Sequence, residues 1–548
     1  MSARLAITAL ATAFSALALS CQPGPRTDSQ TNWLRSCETS AECGGLECVC
    51  GACTRSCSTD ATCAGLSNAV CVPGADRGAV ALCGGSAPSA PGLCLPRCET
   101  GECGGASACI AGLCSPDDEP TASVRVDLSV RHQTLTGFGA AVAYAEGRIV
   151  QHPRKTALYD AMFSDSGLDM MRLRNHYEGD GQDDFSAAAE IVAAASERLG
   201  RRPAVLLTSW SPPPALKANG ARECGSADTC TLARLPTGGF DYPGFGAYWR
   251  ASLEAYARAG VRPDYIGLQN NPNWSPPASM SHEAARFLPT EGTATVAVNG
   301  VDVAVAYPGF VEALAAVRAA LVGLPAAPRI AAPEVSGVGV VSEYAAPLDF
   351  SGIDAIAHHM YGTDPSAVDR ELFATVAAIG RDRRRPVFQT EMRANGFDTA
   401  ILLHHALTDI GASAYLQNDF VGAADETALL SASANDFVFE TPYHVLRHYA
   451  RHTDPGWLRV EAVSDEPALL ASAWLSPAED ALTIVLFNSG AIPLAVELDP
   501  GMSIEGASSG VTRTVFDGVE RSAELGALAP NRVIELPARA MATLALRR

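Results

Sequence analysis

The sequence predicts an α/β protein: a closed (β/α)8 TIM barrel with an appended antiparallel β-sandwich, preceded by a small disulfide-rich module. Eight apolar runs alternate with amphipathic segments through the middle of the chain, and runs of period two follow toward the C-terminus. Fourteen of the seventeen cysteines lie between Cys37 and Cys114. The alternation is typical of a parallel barrel, period two indicates antiparallel strands, and clustered cysteines indicate disulfides in an oxidising compartment.

Length and composition agree with several globular units. A chain of 548 residues exceeds one ordinary domain. Hydrophobic residues make up 47% and charged residues 18%, which is enough apolar material for a core. The formal net charge of −20 repels polyanions, so we expect no nucleic-acid partner.

The N-terminus predicts export. Residues 1–20 have the features of a signal peptide, with Arg4 ahead of an apolar run from Leu5 to Leu19. The run ends in Leu-Ala-Leu-Ser-Cys21, which resembles a bacterial lipobox and predicts that Cys21 is lipidated. Residues 21–36 then form a polar tether. We expect a membrane-anchored lipoprotein at the cell envelope or surface, with the outer leaflet or outer membrane as partner. Cleavage by the ordinary signal peptidase, giving a secreted protein, is the alternative.

Residues 37–114 form the predicted cysteine-rich module. The segment Cys37-Glu-Thr-Ser-Ala-Glu-Cys43-Gly-Gly is echoed by Cys98-Glu-Thr-Gly-Glu-Cys103-Gly-Gly, which suggests small EGF-like or knot-like repeats. With so few apolar residues, disulfides must replace a core. A zinc site that includes Cys50 and Cys53 is the alternative. The module is interpreted as a spacer or a wall-binding stalk.

Setting Cys21 aside leaves an even sixteen cysteines. Cys224 and Cys230, the two outside the module, are close enough in sequence to pair with each other.

The remaining chain divides into a linker (115–123), a segment that contributes strands to the sandwich (124–135), the barrel (136–442) and the sandwich (443–548). The predicted barrel strands are 135–142, 168–174, 204–210, 265–270, 329–335, 353–361, 386–392 and 412–418. The clearest predicted helices are Phe185–Leu199, Phe245–Ala259, Phe310–Val322, Ala367–Ile379 and Thr399–Ile410, with a short one near 342–348. An open doubly wound sheet is the competing fold, but no Gly-x-Gly-x-x-Gly follows the first strand.

In such a barrel, catalytic groups lie at the C-terminal ends of the strands. Those ends carry carboxylate, arginine, histidine and aromatic side chains, a mixture that suits a sugar site. They are Arg172 and Arg174, Trp210, Asn270 and Asn271, Glu334, His359 and Tyr361, Glu391, and Gln417 and Asn418.

Six motifs in order resemble glycoside hydrolase family 30, a clan A family of glucosylceramidases, glucuronoxylanases and β-1,6-glucanases. The similarity covers residues 124–548. The motifs are Gly137-Phe-Gly-Ala-Ala, Gly167-Leu-Asp-Met-Met-Arg-Leu-Arg, Ser209-Trp-Ser-Pro-Pro-Pro-Ala-Leu-Lys-Ala-Asn-Gly220, Ala332-Pro-Glu334, His359-Met-Tyr361 and Gln389-Thr-Glu391. The resemblance implies a retaining O-glycosyl hydrolase that acts on β-linked glycans or glycosides, with carbohydrate as its substrate partner.

Position by position, the resemblance implies that Glu391 is the nucleophile. Tyr361 would hydrogen-bond Glu391, and Arg172 would lower its pKa. The alternative for Glu391 is a structural ion pair with Arg172 or Arg393.

The resemblance also implies substrate-binding roles. His359 and Asn270 would contact sugar hydroxyls, whereas His358 would face the helices because neighbouring strand residues alternate sides. Trp210 would form a subsite platform or else cap the core.

The sequence departs from the family at the general acid/base. The family has Gln-Asn-Glu-Pro after strand four, whereas this chain has Gln269-Asn270-Asn271-Pro272, which places an amide at the acid/base position. Three accounts follow. Another acid such as Glu178, Asp180 or Glu283 acts, or the substrate has a good leaving group; the protein is a pseudoenzyme that binds glycan; or it transfers glycosyl groups. Neither a metal nor a cofactor is expected.

Overall fold

A computed structural model describes residues 33, 37–64, 66, 69–74, 91–96, 107–110, 113–116 and 121–548, except 278–279, 424, 504–506 and 529–531. The predicted signal peptide and Cys21 lie outside the described residues. The chain divides into two compact units, one containing most of the cysteine-rich module and the other containing residues 116–548.

The described part of the cysteine-rich unit consists of short hairpins held by disulfides. Its paired strands are Glu47–Val49 with Ala52–Thr54, Ala69–Pro73 with Gly92–Pro96, and Ser107–Ile110 with Leu113–Pro116. Four disulfides join Cys37 to Cys48, Cys43 to Cys53, Cys57 to Cys71 and Cys63 to Cys94. Cys50 is also disulfide-bonded. The zinc alternative is therefore wrong for this pair, since zinc needs free thiolates.

The predicted barrel is confirmed, strand for strand. Eight parallel strands close in the order of the chain: Gly137–Ala141, Met170–Arg174, Ala204–Thr208, Tyr265–Gly267, Arg329–Val335, Ala355–His359, Val387–Glu391 and Ala412–Gln417. Side chains fill the interior, where Tyr265 and Phe388 meet edge to face with ring centroids 5.0 Å apart. This packed layer forms the floor beneath the C-terminal strand ends.

All six predicted barrel helices are present. They are Ser186–Leu199, Tyr242–Arg258, Phe310–Leu321, Val341–Ala345, Arg370–Arg383 and Gly396–His405, the last continuing as a π-helical turn through Ile410. Two further helices, Glu146–Gln151 and Lys155–Tyr159, follow the first strand and are followed by a π-helical segment, Asp160–Asp165. These helices were not predicted, because they have only six and five residues, too short for a clear helical period.

The β-sandwich is a nine-stranded sheet built from both flanks of the barrel. Its strands are Ala122–Thr134, Leu458–Ser464, Leu469–Leu475, Ala481–Asn488, Leu494–Asp499, Ser508–Val515, Ala523–Gly526, Val533–Leu536 and Ala540–Arg547. The pairs are antiparallel except that the first strand runs parallel to Leu494–Asp499. Val124, Ile484, Val496 and Leu544 share its apolar core.

Successive side chains of this sheet point to two buried faces, one in the sandwich core and one against the barrel core. Ala473 and Leu475 belong to the sandwich core, whereas Trp474 between them packs into the barrel core. The predicted boundary at 442/443 lies within helix Thr441–Ala450. The first strand of the sandwich after the barrel begins at Leu458, and the helix before it packs against both parts.

Shorter strands lie in the loops at the rim of the barrel. They are Glu223–Cys224 paired with His282–Glu283, the hairpin Gly292–Val298 and Val301–Tyr307, and the set Val421–Gly422, Leu430–Ala432 and Phe437–Phe439. No helix among the described residues has the length and apolar character needed to cross a bilayer.

Candidate active site

Arg172 is the centre of the polar cluster at the C-terminal strand ends. It lies on the second barrel strand and is fully buried. One terminal nitrogen, Nη1, donates to Oε2 of Glu391 over 2.5 Å, and the other, Nη2, donates to Oδ1 of Asn270 over 2.7 Å. Nη2 also lies 3.1 Å from Oε1 of Glu334. A buried guanidinium keeps its charge, so it compensates the negative charge of this cluster.

Glu391 is the last residue of the seventh strand and is 5% exposed. Tyr361 donates its hydroxyl to Oε1 of Glu391 over 2.9 Å, which is the hydrogen bond that the sequence predicted. Burial on its own raises the pKa of a carboxyl group, but the charge of Arg172 and the hydrogen bonds from Arg172 and Tyr361 together hold the pKa of Glu391 below its ordinary value. Glu391 is therefore an ionised carboxylate at neutral pH. Arg393, the other predicted partner, pairs instead with Asp419 and Asp425.

Glu334 is a second buried carboxyl group in the cluster, to which the sequence analysis gave no role. It is the penultimate residue of the fifth strand, Arg329–Val335, where it has φ +57°, and it is fully buried. Thr208 donates to its Oε2 over 3.0 Å. Burial raises the pKa of Glu334, while Arg172 opposes that rise. The strand-end position in Ala332-Pro-Glu334 was the available signal, but only the fold shows that this residue shares Arg172 with Glu391.

Gly267 makes room for Glu334. A Cβ atom on Gly267, in the fourth strand, would lie 1.5 Å from Oε2 of Glu334. No side chain fits at this position while Glu334 keeps its place, since real Cβ atoms do not approach other atoms so closely. The glycine and the buried carboxyl group are therefore coupled between two neighbouring strands.

Asn270 and Asn271 follow the fourth strand. Asn270 is buried and accepts from Arg172, which leaves its amide N–H groups for another partner. The main-chain N–H of Asn271 donates to the carbonyl of Glu334 over 3.1 Å. Asn271 has φ +48°, and among the described residues its buried Oδ1 has no hydrogen-bond partner.

Trp210 is 4% exposed and packs against Ala141 and Ala143. The guanidinium of Arg172 lies 4.3 Å from the centroid of its ring. Tyr144, at φ +61° and 49% exposed, meets the ring edge-on at 6.0 Å. This placement favours the core-capping interpretation of Trp210, and Tyr144 is the aromatic residue that is open to solvent.

A polar bridge connects Tyr144 to the loop that follows strand four. Glu283 accepts from Arg174 over 2.6 Å and from the Tyr144 hydroxyl over 3.0 Å, so both of its carboxylate oxygens are occupied. Arg174 also lies 4.3 Å from the centroid of the Tyr144 ring. Of the other acids predicted as substitutes, Glu178 pairs with Arg222, and Asp180 is exposed and accepts from the main chain of Gln182.

The two histidines of the sixth strand are both buried. His359 faces the Glu391 cluster, where burial lowers its pKa to about 3 and leaves it a neutral imidazole. Neither of its ring nitrogens has a hydrogen-bond partner among the described residues. The ring of Tyr361 lies edge-on to it at 6.0 Å. His358 instead bonds the carbonyl of His359 through Nδ1 over 2.9 Å.

The predicted disulfide between Cys224 and Cys230 is present. Residues Glu223–Cys224 pair with His282–Glu283, so the disulfide loop supports the strand that carries Glu283. Lys217 reinforces this junction, because its buried ammonium donates to the carbonyls of Ala284 over 2.5 Å and Arg222 over 3.1 Å. Burial lowers the pKa of Lys217 to about 8. The lysine of the third motif therefore has a structural role.

Neither a family model nor a curated protein matches this chain. Solved structures do match this chain. A family 30 subfamily 8 glycoside hydrolase, a xylanase from Clostridium acetobutylicum, has 20% identity and a TM-score of 0.59, over 78% of this chain and 100% of its own. A conserved exported protein from Bacteroides fragilis has 14% identity and a TM-score of 0.62, over 77% and 100%.

An endo-β-1,6-glucanase has 12% identity and a TM-score of 0.57, covering 79% of this chain and 96% of its own. At these identities the similarity concerns the fold alone. This chain has the fold of these proteins over more than three quarters of its length.

Proposed function

We propose that the larger unit is a retaining O-glycosyl hydrolase for β-linked glycans or glycosides, with Glu391 as its nucleophile. The observation that carries the proposal is the environment of Glu391. A carboxylate at a barrel strand end, kept ionised by Arg172 and Tyr361 at 2.5 and 2.9 Å, has the charge state that attack on an anomeric carbon requires. The names of the structural neighbours, a xylanase and an endo-β-1,6-glucanase, support this class of substrate.

The neighbouring residues have supporting roles in this proposal. Asn270 uses its free amide to bind the sugar hydroxyl next to the reacting carbon. His359, a neutral imidazole, binds another hydroxyl through one of its open nitrogens. Arg172 orients Asn270 and Glu391 together, since it donates to both. Trp210 supports Arg172 from below the sugar.

A protein that binds glycan without cutting it is the second candidate. Asn271 favours it, because general acid/base catalysis is worth roughly 10²–10⁴-fold and an amide supplies none.

Export and attachment complete the proposal. The described disulfides are consistent with an oxidising compartment. We propose that Cys21 carries a lipid that tethers the protein to the envelope, and that the cysteine-rich module is the stalk. Globomycin treatment of an expressing bacterium tests this, since accumulation of the uncleaved precursor is expected only for a lipoprotein.

Covalent trapping tests the nucleophile. Dinitrophenyl 2-deoxy-2-fluoro-β-glycosides of glucose and xylose are incubated with the full chain, and the labelled peptide is identified by mass spectrometry. A glycosyl adduct on Glu391 is the expected result, absent in Glu391→Gln and present in Glu497→Gln, whose carboxyl group is exposed on the sandwich. Binding of oligosaccharides by calorimetry without an adduct or turnover would instead establish the second candidate.

A further inference from the structure

The acid/base position is occupied by a residue suited to the local backbone. Asn271 adopts φ +48°, in the left-handed region where asparagine is several-fold enriched over other non-glycine residues. Its side chain can donate and accept hydrogen bonds, but it has no proton to release near neutral pH. The site therefore presents a hydrogen-bonding amide where a retaining glycosidase ordinarily has a titrating carboxyl group.

Three carboxyl groups in the loops after the barrel strands are paired with arginines. Glu283 is bonded through both oxygens to Arg174 and Tyr144. Glu178 is paired with Arg222. Asp419, which follows the eighth strand beside the nucleophile's strand, is paired with Arg393, and burial raises its pKa to about 6. An arginine therefore already engages each of these three carboxyl groups, and the Asp419→Asn variant below tests whether Asp419 nevertheless donates a proton.

A cavity lies beside the loop that carries Asn271. It has a volume of about 430 Å³ and is lined by Asn273, two residues after Asn271, and by Tyr361, which bonds Glu391. Val338, Val340 and Leu372 add apolar surface, and Ser336 adds a hydroxyl. Its size is within the range of small-molecule sites. Asp364 and Asp369, both exposed, also line it. The apolar patch of this lining suits an aromatic ring, and the polar residues suit a polar substituent on that ring.

We infer that the site cleaves β-glycosides of phenolic aglycones, with the aglycone bound in the cavity beside Tyr361 and released without a proton from the enzyme. The inference rests on the proposed function, because it uses Glu391 as the nucleophile. It narrows the substrate from β-glycans and glycosides in general to glycosides whose leaving group is stable as an anion.

The chemistry balances without an enzymic acid. An Oε atom of Glu391 bonds to the anomeric carbon, and the bond to the phenolic oxygen breaks with its electron pair on that oxygen. The Asn271 amide donates a hydrogen bond to the departing phenolate, which takes its proton from water in solution. Water, or a small anion such as azide, then attacks the same carbon and restores the Glu391 carboxylate. When water attacks, its proton passes to bulk water.

A leaving-group series is the main test. Rate constants for glycosylation are measured with aryl β-glycosides from dinitrophenyl to unsubstituted phenyl. For the natural chain we expect a fall of roughly 10²–10⁴-fold across the series, and for Asn271→Glu a nearly level response, since a carboxyl group now protonates poor leaving groups. Sodium azide should accelerate the second step of the natural chain and yield the β-glycosyl azide.

The outcomes separate the inference from the proposed function. No adduct on Glu391 with any fluoro-sugar means that the proposed function fails. An adduct together with a level response of the natural chain overturns the inference alone, because another group then supplies the proton. Glu283→Gln, Asp419→Asn and Glu146→Gln would identify that group.

Filling the cavity tests where the aglycone binds. Thr363 is half-buried at its rim, and Thr363→Trp should raise KM for aryl glycosides about tenfold. The matched control is Thr375→Trp, on the exposed face of helix Arg370–Arg383 and outside the cavity lining, which should leave KM unchanged. A glycosyl fluoride, which has no aglycone ring, serves as the internal control and should react equally with both variants. An equal loss on both substrates, with folding intact by circular dichroism, would place the aglycone elsewhere.

Discussion

The two sides of the candidate pocket differ in how completely they are equipped for catalysis. On the side of strands six and seven, Glu391 is ionised, hydrogen-bonded by Tyr361 and paired with a buried arginine. On the side of the loop after strand four, Asn271 presents an amide, and Glu283 is held by Arg174 and Tyr144. The environment of the proposed nucleophile is therefore complete, whereas the proposed acid/base position has no carboxyl group.

The largest expected effect is on the nucleophile side. Arg172→Met leaves Glu391 and Glu334 buried without their cation, and breaking a buried pair in this way costs about 3–5 kcal/mol. Urea denaturation measures the loss of unfolding free energy. The matched control is Arg131→Met, whose pair with Glu479 is more than half exposed and is worth at most about 1 kcal/mol. Equal losses of unfolding free energy would mean that the buried ion pairs of Arg172 stabilise the chain no more than the exposed pair of Arg131.

Gly267→Ala tests the fit between the fourth and fifth strands. The added Cβ would lie 1.5 Å from Oε2 of Glu334, so we expect a loss of about 1–3 kcal/mol and a displaced Glu334. Gly510, in a sandwich strand, has open space where its Cβ would lie, and Gly510→Ala should be close to neutral. Thermal unfolding of the two variants gives the comparison. A neutral Gly267→Ala would contradict the close packing described for Glu334.

The double substitution Cys224→Ser with Cys230→Ser tests the side of the pocket formed by the loop after strand four. The disulfide closes a short loop with a sequence separation of 6, so the loss of stability should be about 2 kcal/mol. Because the loop supports the strand that carries Glu283, fluoro-sugar labelling of Glu391 should continue while the affinity for oligosaccharides falls. Loss of labelling at full folding would show that the two sides are not independent.

The smallest expected effect is a shift in pH dependence. Tyr361→Phe removes a hydrogen bond to the ionised form of Glu391, so the pKa of Glu391 should rise. Since attack requires the carboxylate, the acidic limb of the labelling rate should move to higher pH. The lowered folded pKa stabilises the native chain above the ordinary carboxyl pKa, and this stability is lost as pH falls through the folded value. An unmoved limb would contradict this role of Tyr361.

Much of the fold could be predicted because it depends on local pattern. The eight barrel strands are continuous apolar runs buried on both sides, and each lies where the sequence predicts it. The helices after the first strand could not be predicted, since five- and six-residue helices are stabilised by tertiary packing rather than by a periodic face. The predicted boundary at 442/443 lies within helix Thr441–Ala450, which packs against both the barrel and the sandwich, so no change of sequence pattern marks a limit there.

Residues of the candidate site could be predicted where each lies at the C-terminal end of its own barrel strand. Glu391, Tyr361 and Arg172 meet as expected because strand ends converge in a closed barrel. The coupling of Glu334 to Gly267 and the bridge from Tyr144 to Glu283 involve residues far apart in sequence, and no local pattern connects them. Burial of Trp210 likewise depends on Ala141 and Ala143 from another strand.

The first sandwich strand, Ala122–Thr134, has a consequence for the order of folding. It pairs with Leu458–Ser464, and Ser123 bonds to Asp465 across a separation of 342 residues. During synthesis this strand emerges early with an unpaired edge, and its neighbours exist only after the whole barrel has been made. Such long-range pairing folds slowly and exposes a template for association. Truncation before residue 458 should therefore give an aggregating barrel rather than a smaller enzyme.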